Sequence, residues 1–120
     1  MAQLQSIPFY LGDISAAYIG PTIEAKNYEQ LSLHIVNPGT LSIMVRVQMS
    51  NVPKVSRSGN QVARDDGLNS LDWDTQARFT LMPNNSQVVS FTNLAALAFR
   101  FVIEDPRGTA ANVRIFVGVR

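Results

Sequence analysis

The sequence predicts an all-β protein, an antiparallel β-sandwich of about eight strands and of jelly-roll type. Apolar and polar residues alternate in four long runs, and a period of two is typical of half-buried strands. No stretch has the 3.6-residue period of an ordinary helix. Turn residues separate the runs at short intervals, and several short strands at such spacing favour a sandwich over other all-β folds.

The composition limits the size and the chemistry of the protein. The 120 residues are 46% hydrophobic, so we expect a single domain, residues 1–120, with a substantial core. A net charge of +1 is too small to steer the protein to nucleic acid, and no apolar run is long enough to span a membrane. Cysteine is absent, which leaves neither a disulfide nor a thiolate metal site. We expect no cofactor, and synthesis in a bacterial or host cytoplasm.

The first 20 residues leave two alternatives open. Pro8, Gly12 and Gly20 interrupt short apolar pieces, and a proline cannot donate a ladder hydrogen bond in a central strand. Residues 1–20 are therefore either an extended N-terminal arm that packs on a neighbouring subunit or an edge strand of their own domain. Residues 21–25 continue as a short strand.

Residues 28–49 contain two alternating runs joined at Pro38 and Gly39. A direct two-residue hairpin would place inward Ile35 opposite outward Ser42, so the apolar faces would not match. Either a one-residue bulge restores the match, or the two strands belong to different sheets, which is the alternative we favour. The inward positions are Leu31, Leu33, Ile35, Leu41, Ile43, Val45, Val47 and Met49.

Residues 51–74 are a long polar loop, and loops of this length are functional or disordered. A small hairpin is expected around residues 58–60, and Trp73 is expected to anchor the loop to the body of the domain. The second half of the chain then continues with strands near residues 76–82, 86–91, 94–104 and 112–119. The phenylalanines at 79, 91, 99, 101 and 116 are predicted to lie in or near the core.

No set of residues points to catalysis. His34 is the only histidine, and without cysteine it does not build a zinc site unless carboxylates supply the other ligands. Four aspartates gather in the loop, but their spacing matches no calcium-binding loop. Asx turns and pairing with Arg57 or Arg64 are the favoured roles for these aspartates. The aromatic candidates for sugar stacking are Trp73, Tyr10, Tyr18 and Tyr28.

The segment from residue 28 to residue 119 resembles the small jelly-roll and discoidin-like sandwiches of tailed-bacteriophage virions. The resemblance lies in Leu31-Ser32-Leu33-His34-Ile35-Val36-Asn37-Pro38-Gly39, in Val45-Arg46-Val47-Gln48-Met49-Ser50, in Trp73, and in Ala98-Phe99-Arg100-Phe101-Val102-Ile103-Glu104. Proteins of that family and size are capsid cement or decoration proteins. The resemblance therefore implies a role in the virion and binding to the major capsid protein or other virion subunits.

We therefore expect a non-enzymatic structural virion protein, a homo-oligomer, that stabilises a shell by protein–protein interfaces. The alternative is a carbohydrate-binding module. Apolar residues in segments without regular alternation tend to find a partner surface, and arginine suits bidentate interface contacts. The expected interface residues are Ile7, Phe9, Tyr10, Arg57, Arg64 and Trp73. By contrast, the strand faces with Arg46, Arg78, Arg100 and Arg114 are expected to be solvated or lightly packed.

Overall fold

The computed structural model describes residues 5–25, 28–51, 54–55, 61–62, 73–92 and 96–120. Within these ranges the chain forms eleven β-strands and no helix. The strands are β1 (Gln5–Ile14), β2 (Tyr18–Ile19), β3 (Ile23–Glu24), β4 (Leu31–Asn37), β5 (Ile43–Ser50), β6 (Lys54–Val55), β7 (Gln61–Val62), β8 (Asp74–Leu81), β9 (Asn85–Phe91), β10 (Ala98–Ile103) and β11 (Ala110–Val119).

Nine of these strands form two antiparallel sheets, which confirms the predicted sandwich. The front sheet has the order β1-β11-β4-β9, and the back sheet has the order β2-β10-β5-β8, with β3 also paired to β10. The count exceeds the expected eight because residues 18–24 contribute two short strands rather than one. Strands β6 and β7 pair with each other in antiparallel fashion, as the predicted small hairpin requires, while residues 58–60 at its turn lie outside the described residues.

The chain passes repeatedly from one sheet to the other. Strand β4 lies in the front sheet and β5 in the back sheet, which confirms that the two central runs belong to different sheets. The chain returns to the front sheet between β8 and β9, and the first and last strands lie side by side. This strand order is that of a jelly roll.

The core lies between the two sheets and follows the alternation in the sequence. In β4, Leu31, Leu33 and Ile35 are buried while His34 is exposed. Each apolar side chain of this size contributes roughly 1.5–3 kcal/mol when it is fully buried. The largest fully buried side chains are Phe99, Phe101, Leu31, Leu33, Ile35, Ile43, Leu81, Ile103, Ile115, Val45, Val47 and Val113.

Phe101 organises one end of the core. The ring of Phe9 meets it edge-on with centroids 5.4 Å apart, and the ring of Tyr18 stacks on it at 6.0 Å. The backbone N–H of Gly20 donates to the carbonyl oxygen of Phe101 at 2.9 Å. A Cβ atom at residue 20 would lie only 2.6 Å from the Phe101 ring, so this approach of backbone to ring requires glycine.

Residues 5–14 form β1 at the edge of the front sheet. They belong to the segment for which the sequence left two alternatives, an extended arm or an edge strand. β1 pairs with β11 along its length, with register shifts at Gly12, and Pro8 sits where an edge strand tolerates it. Ile7 and Phe9 pack against the core. Because Ile7 and Phe9 belong to the packing of their own domain, we expect loss of residues 5–11 to destabilise the sandwich.

Most of the predicted long loop lies outside the described residues. This includes the loop aspartates Asp65, Asp66 and Asp72 and the expected interface residues Arg57 and Arg64. Trp73 is described and is only 6% exposed, in agreement with its expected role as an anchor.

We predict that Phe9→Ala lowers the free energy of unfolding by about 2 kcal/mol. A fully buried phenylalanine costs roughly 3–5 kcal/mol when it is truncated to alanine, and Phe9 is half-buried. The matched control is Ser6→Ala, an exposed residue of the same strand, which should change stability by less than about 0.5 kcal/mol. Urea unfolding of both variants measures the difference. Equal midpoints for the two variants would mean that β1 detaches from the sandwich as an arm.

Candidate interaction surface

The outer face of the front sheet carries a patch of apolar and aromatic side chains. Strand pairing aligns Pro8 of β1 with Phe116 of β11, Phe116 with His34 of β4, and His34 with Val88 of β9. Tyr10 lies beside this row, two residues along β1 from Pro8. We call Pro8, Tyr10, His34, Val88 and Phe116 the front patch.

The rings of the front patch contact one another. Tyr10 meets Phe116 edge-on, with centroids 5.9 Å apart and an interplanar angle of 87°. The His34 ring is tilted against Phe116, also at 5.9 Å. Tyr10 is 71% exposed and Val88 is 58% exposed, so the patch is an apolar surface in contact with solvent. Edge-to-face ring pairs prefer this spacing and hold each other's orientation.

Phe116 is in the front patch because of the face it occupies on β11. Val113, Ile115, Val117 and Val119 are all buried, and successive side chains of a strand point to opposite faces. Phe116 therefore points away from the core and is half-buried, which corrects the expectation that it is a core or near-core residue. The alternation of β11 predicts that Phe116 points outward. We nevertheless expected a position in or near the core, because phenylalanine is an apolar residue.

A polar rim borders the front patch. Arg114 is exposed on β11, and pairing places it between Tyr10 and Val36. Two surface depressions flank the aromatic row. One is lined by residues that include Ser32, Ser90 and Gly118, and the other by residues that include Val36, Ser86 and Arg114. Tyrosine and arginine are enriched at protein interfaces, and both are present here.

The structure separates the expected interface residues rather than bringing them together. Tyr10 belongs to the front patch. Ile7 and Phe9 lie on the same strand but point to the opposite face, where they pack against the core, so their apolar surface is used inside the domain. Trp73 lies just before β8, with its ring over Arg100 of the back sheet. Sequence reasoning missed Val88 and Phe116, although the period of two in β9 and β11 was the signal for both.

The outer face of the back sheet is organised around Arg100. The Cζ atom of Arg100 lies 4.3 Å from the centroid of the Trp73 ring, and its Nε donates to Oε1 of Gln48 at 2.8 Å. The side-chain nitrogen of Gln48 donates in turn to the hydroxyl of Thr75 at 3.3 Å. Arg100 is only 6% exposed, so the expectation of a solvated Arg100 is wrong. The indole ring covers the guanidinium and offers it a cation–π contact.

Two further arginines lie on the same face. Arg46 and Arg78 are cross-strand neighbours. Arg78 donates to both carboxylate oxygens of Glu104, from Nε at 3.2 Å and from Nη2 at 3.3 Å. The Nε of Arg46 is buried, and it makes no hydrogen bond to any residue that the structure describes. Arg78 and Arg114 are exposed, as expected for solvated faces.

The sugar-stacking candidates also separate. Trp73 is buried, and Tyr18 and Tyr28 pack against the core, which leaves Tyr10 as the exposed aromatic of that set. Among the described residues, no three His, Cys, Asp or Glu side chains are grouped so as to hold a metal ion. The described part of the chain also contains no helix that is long and apolar enough to cross a membrane.

We predict that Gln48→Met destabilises the protein by about 1–3 kcal/mol, because it leaves the buried Nε of Arg100 without its Gln48 acceptor. The matched control is Arg78→Ala, which removes an exposed ion pair and should cost less than about 1 kcal/mol. Denaturant unfolding of both variants provides the comparison. Equal losses of stability in the two variants would show that the buried contact of Arg100 contributes no more than the exposed ion pair of Arg78.

The sequence matches no protein-family model and no curated protein, whereas the fold is similar to those of solved structures. One is the SPBc2 prophage-derived protein YomS, with a TM-score of 0.57 and 14% identity, over 99% of this chain and 96% of that one. Another is PirA, with a TM-score of 0.56 and 8% identity, over 100% of this chain and 95% of that one. At these identities the likeness concerns the fold alone.

Proposed function

We propose that this protein is a non-enzymatic structural subunit of a phage virion, a cement or decoration protein that stabilises a shell by protein–protein contacts. The observation that carries the proposal is the front patch. Exposed apolar patches on soluble proteins mark surfaces that bind a partner, and this one is built on four paired strands rather than on a loop. The fold likeness to a prophage-derived protein supports the phage context.

The geometry of the patch suits a flat protein partner. Phe116 lies at its centre and is held on both sides by the rings of Tyr10 and His34. A rigid aromatic loses little conformational entropy on binding, and such anchors contribute most of the energy of an interface. Arg114 on the rim offers a planar, bidentate donor to a carboxylate of the partner. The proposed partner is the major capsid protein or another virion subunit.

We predict that Tyr10→Ser combined with Phe116→Ser weakens binding to shells at least about tenfold, since truncation of interface anchors typically costs 2 kcal/mol or more. Virus particles are purified from cells that carry the genome encoding this chain. Purified wild-type or variant protein is then added, and co-sedimentation measures how much of it binds to the particles. The matched control is Arg78→Ala on the opposite face, which should bind as the unchanged protein does. Absence of the protein from purified particles would overturn the proposal.

One observation favours the alternative of a carbohydrate-binding module. Tyr10 is exposed on a flat sheet face, beside Phe116 and two surface depressions, and an exposed aromatic on such a face can stack on a sugar ring. Trp73 is unsuitable as the test residue because it is buried. Under this alternative, a glycan array shows saturable binding that Tyr10→Ala abolishes and Arg78→Ala leaves unchanged. An empty array with normal shell binding would decide for the structural role.

A further inference from the structure

We propose that β9 is the contact through which two copies of this chain associate, by antiparallel pairing of β9 with the same strand of a second copy. The two front sheets would then join into one continuous sheet across a two-fold axis. This inference goes beyond the proposed role in a virion and does not depend on it, because the partner is a second copy of the same chain.

Most edges of the two sheets carry features that obstruct the addition of a strand. On the far edge of the front sheet, β1 contains Pro8 and has register shifts around Gly12, whose φ is +68°. On the back sheet, β2 and β3 have only two residues each, and β8 carries Asp74 and Arg78. Proline, bulges, charges and short length are the devices by which proteins protect sheet edges.

Strand β9 has none of these devices. Its seven residues, Asn85–Phe91, include no charged residue, no proline and no glycine, and its pairing with β4 is regular from end to end. In the part of the chain that the structure describes, β4 is its only sheet partner. The side chains of residues 85–88 and 90 are exposed. An edge of this kind is a template for another strand.

The strand is also complementary to itself. Pairing about a two-fold axis at Val88 uses all seven residues of both copies and places Val88 opposite Val88 and Ser86 opposite Ser90. Gln87 then faces Val89, and Asn85 faces Phe91. Like charges directly opposite each other destabilise a strand pair, and this pairing brings no like charges together. An antiparallel pair of this length makes about one inter-strand hydrogen bond per residue.

The proposed axis lies at the most exposed apolar residue of the strand. Val88 is 58% exposed, and it ends the row that begins at Pro8 and runs through Phe116 and His34. Pairing at Val88 covers this side chain with its counterpart and continues the row into the second copy. The front patch would then become one surface of twice the length. The contact area of two seven-residue strands is small, so we expect a weak, concentration-dependent dimer.

Charge substitutions at the axis test the register directly. Val88→Lys should raise the dissociation constant of the dimer about tenfold or more, because two ammonium groups then face each other. Val88→Glu should do the same with two carboxylates. An equimolar mixture of the two variants should dimerise again, since each Lys then faces a Glu. Sedimentation velocity over a concentration series measures all three samples.

The matched control is Ser6→Lys, which adds the same charge at the opposite edge of the same sheet and should leave association unchanged. Thermal melts of all variants check that each is folded. A wild-type chain that stays monomeric at millimolar concentration would overturn the proposal. This holds even if β9 then accepts a strand from a different protein. Dimers that withstand both substitutions at Val88, or a mixture that does not recover, would overturn it as well.

Discussion

The side-chain amide of Asn37 connects the two places where the chain changes sheet at one end of the sandwich. Asn37 is fully buried, and its Nδ2 donates to the carbonyl oxygen of Leu41 at 2.7 Å and to that of Met82 at 3.3 Å. The first carbonyl belongs to the crossing from β4 to β5, and the second to the crossing from β8 to β9. A backbone hydrogen bond from Asn84 to Gly39, 3.0 Å long, joins the same two crossings. These bonds hold the two crossings together, and their loss would leave the buried Nδ2 of Asn37 without acceptors, which is costly.

The inner faces of the two sheets share one core, whereas their outer faces differ. The front sheet presents Tyr10 and Phe116 to solvent, whereas Trp73 covers Arg100 on the back sheet. Among the described residues, the exposed aromatic surface is therefore carried by β1, β11, β4 and β9. A patch on paired strands is held in place before binding, so little ordering is needed when a partner arrives.

The sequence predicted the fold better than it predicted the surfaces, for a physical reason. The mismatch between Ile35 and Ser42 across Pro38 and Gly39 required either a bulge or a change of sheet, and the change of sheet that we favoured is the one present. Alternation shows which side of a strand a residue occupies, but not what lies over that side. Arg100 was therefore expected to be solvated, because its cover, Trp73, comes from a segment distant in sequence. Tyr10 was identified, whereas its neighbours Phe116, His34 and Val88 come together only through strand register.

The pairing of the first strand with the last has a consequence for how the chain folds during its synthesis. Gln5 pairs with Val119 and Ile7 with Val117, so β1 leaves the ribosome long before its partner has been translated. The front sheet cannot close until β11 has emerged, and contacts between residues so distant in sequence form slowly. During that interval Ile7 and Phe9 have no core to enter, and unpaired apolar strands are prone to aggregate. The nascent chain is therefore expected to depend on chaperones until translation of the domain is complete.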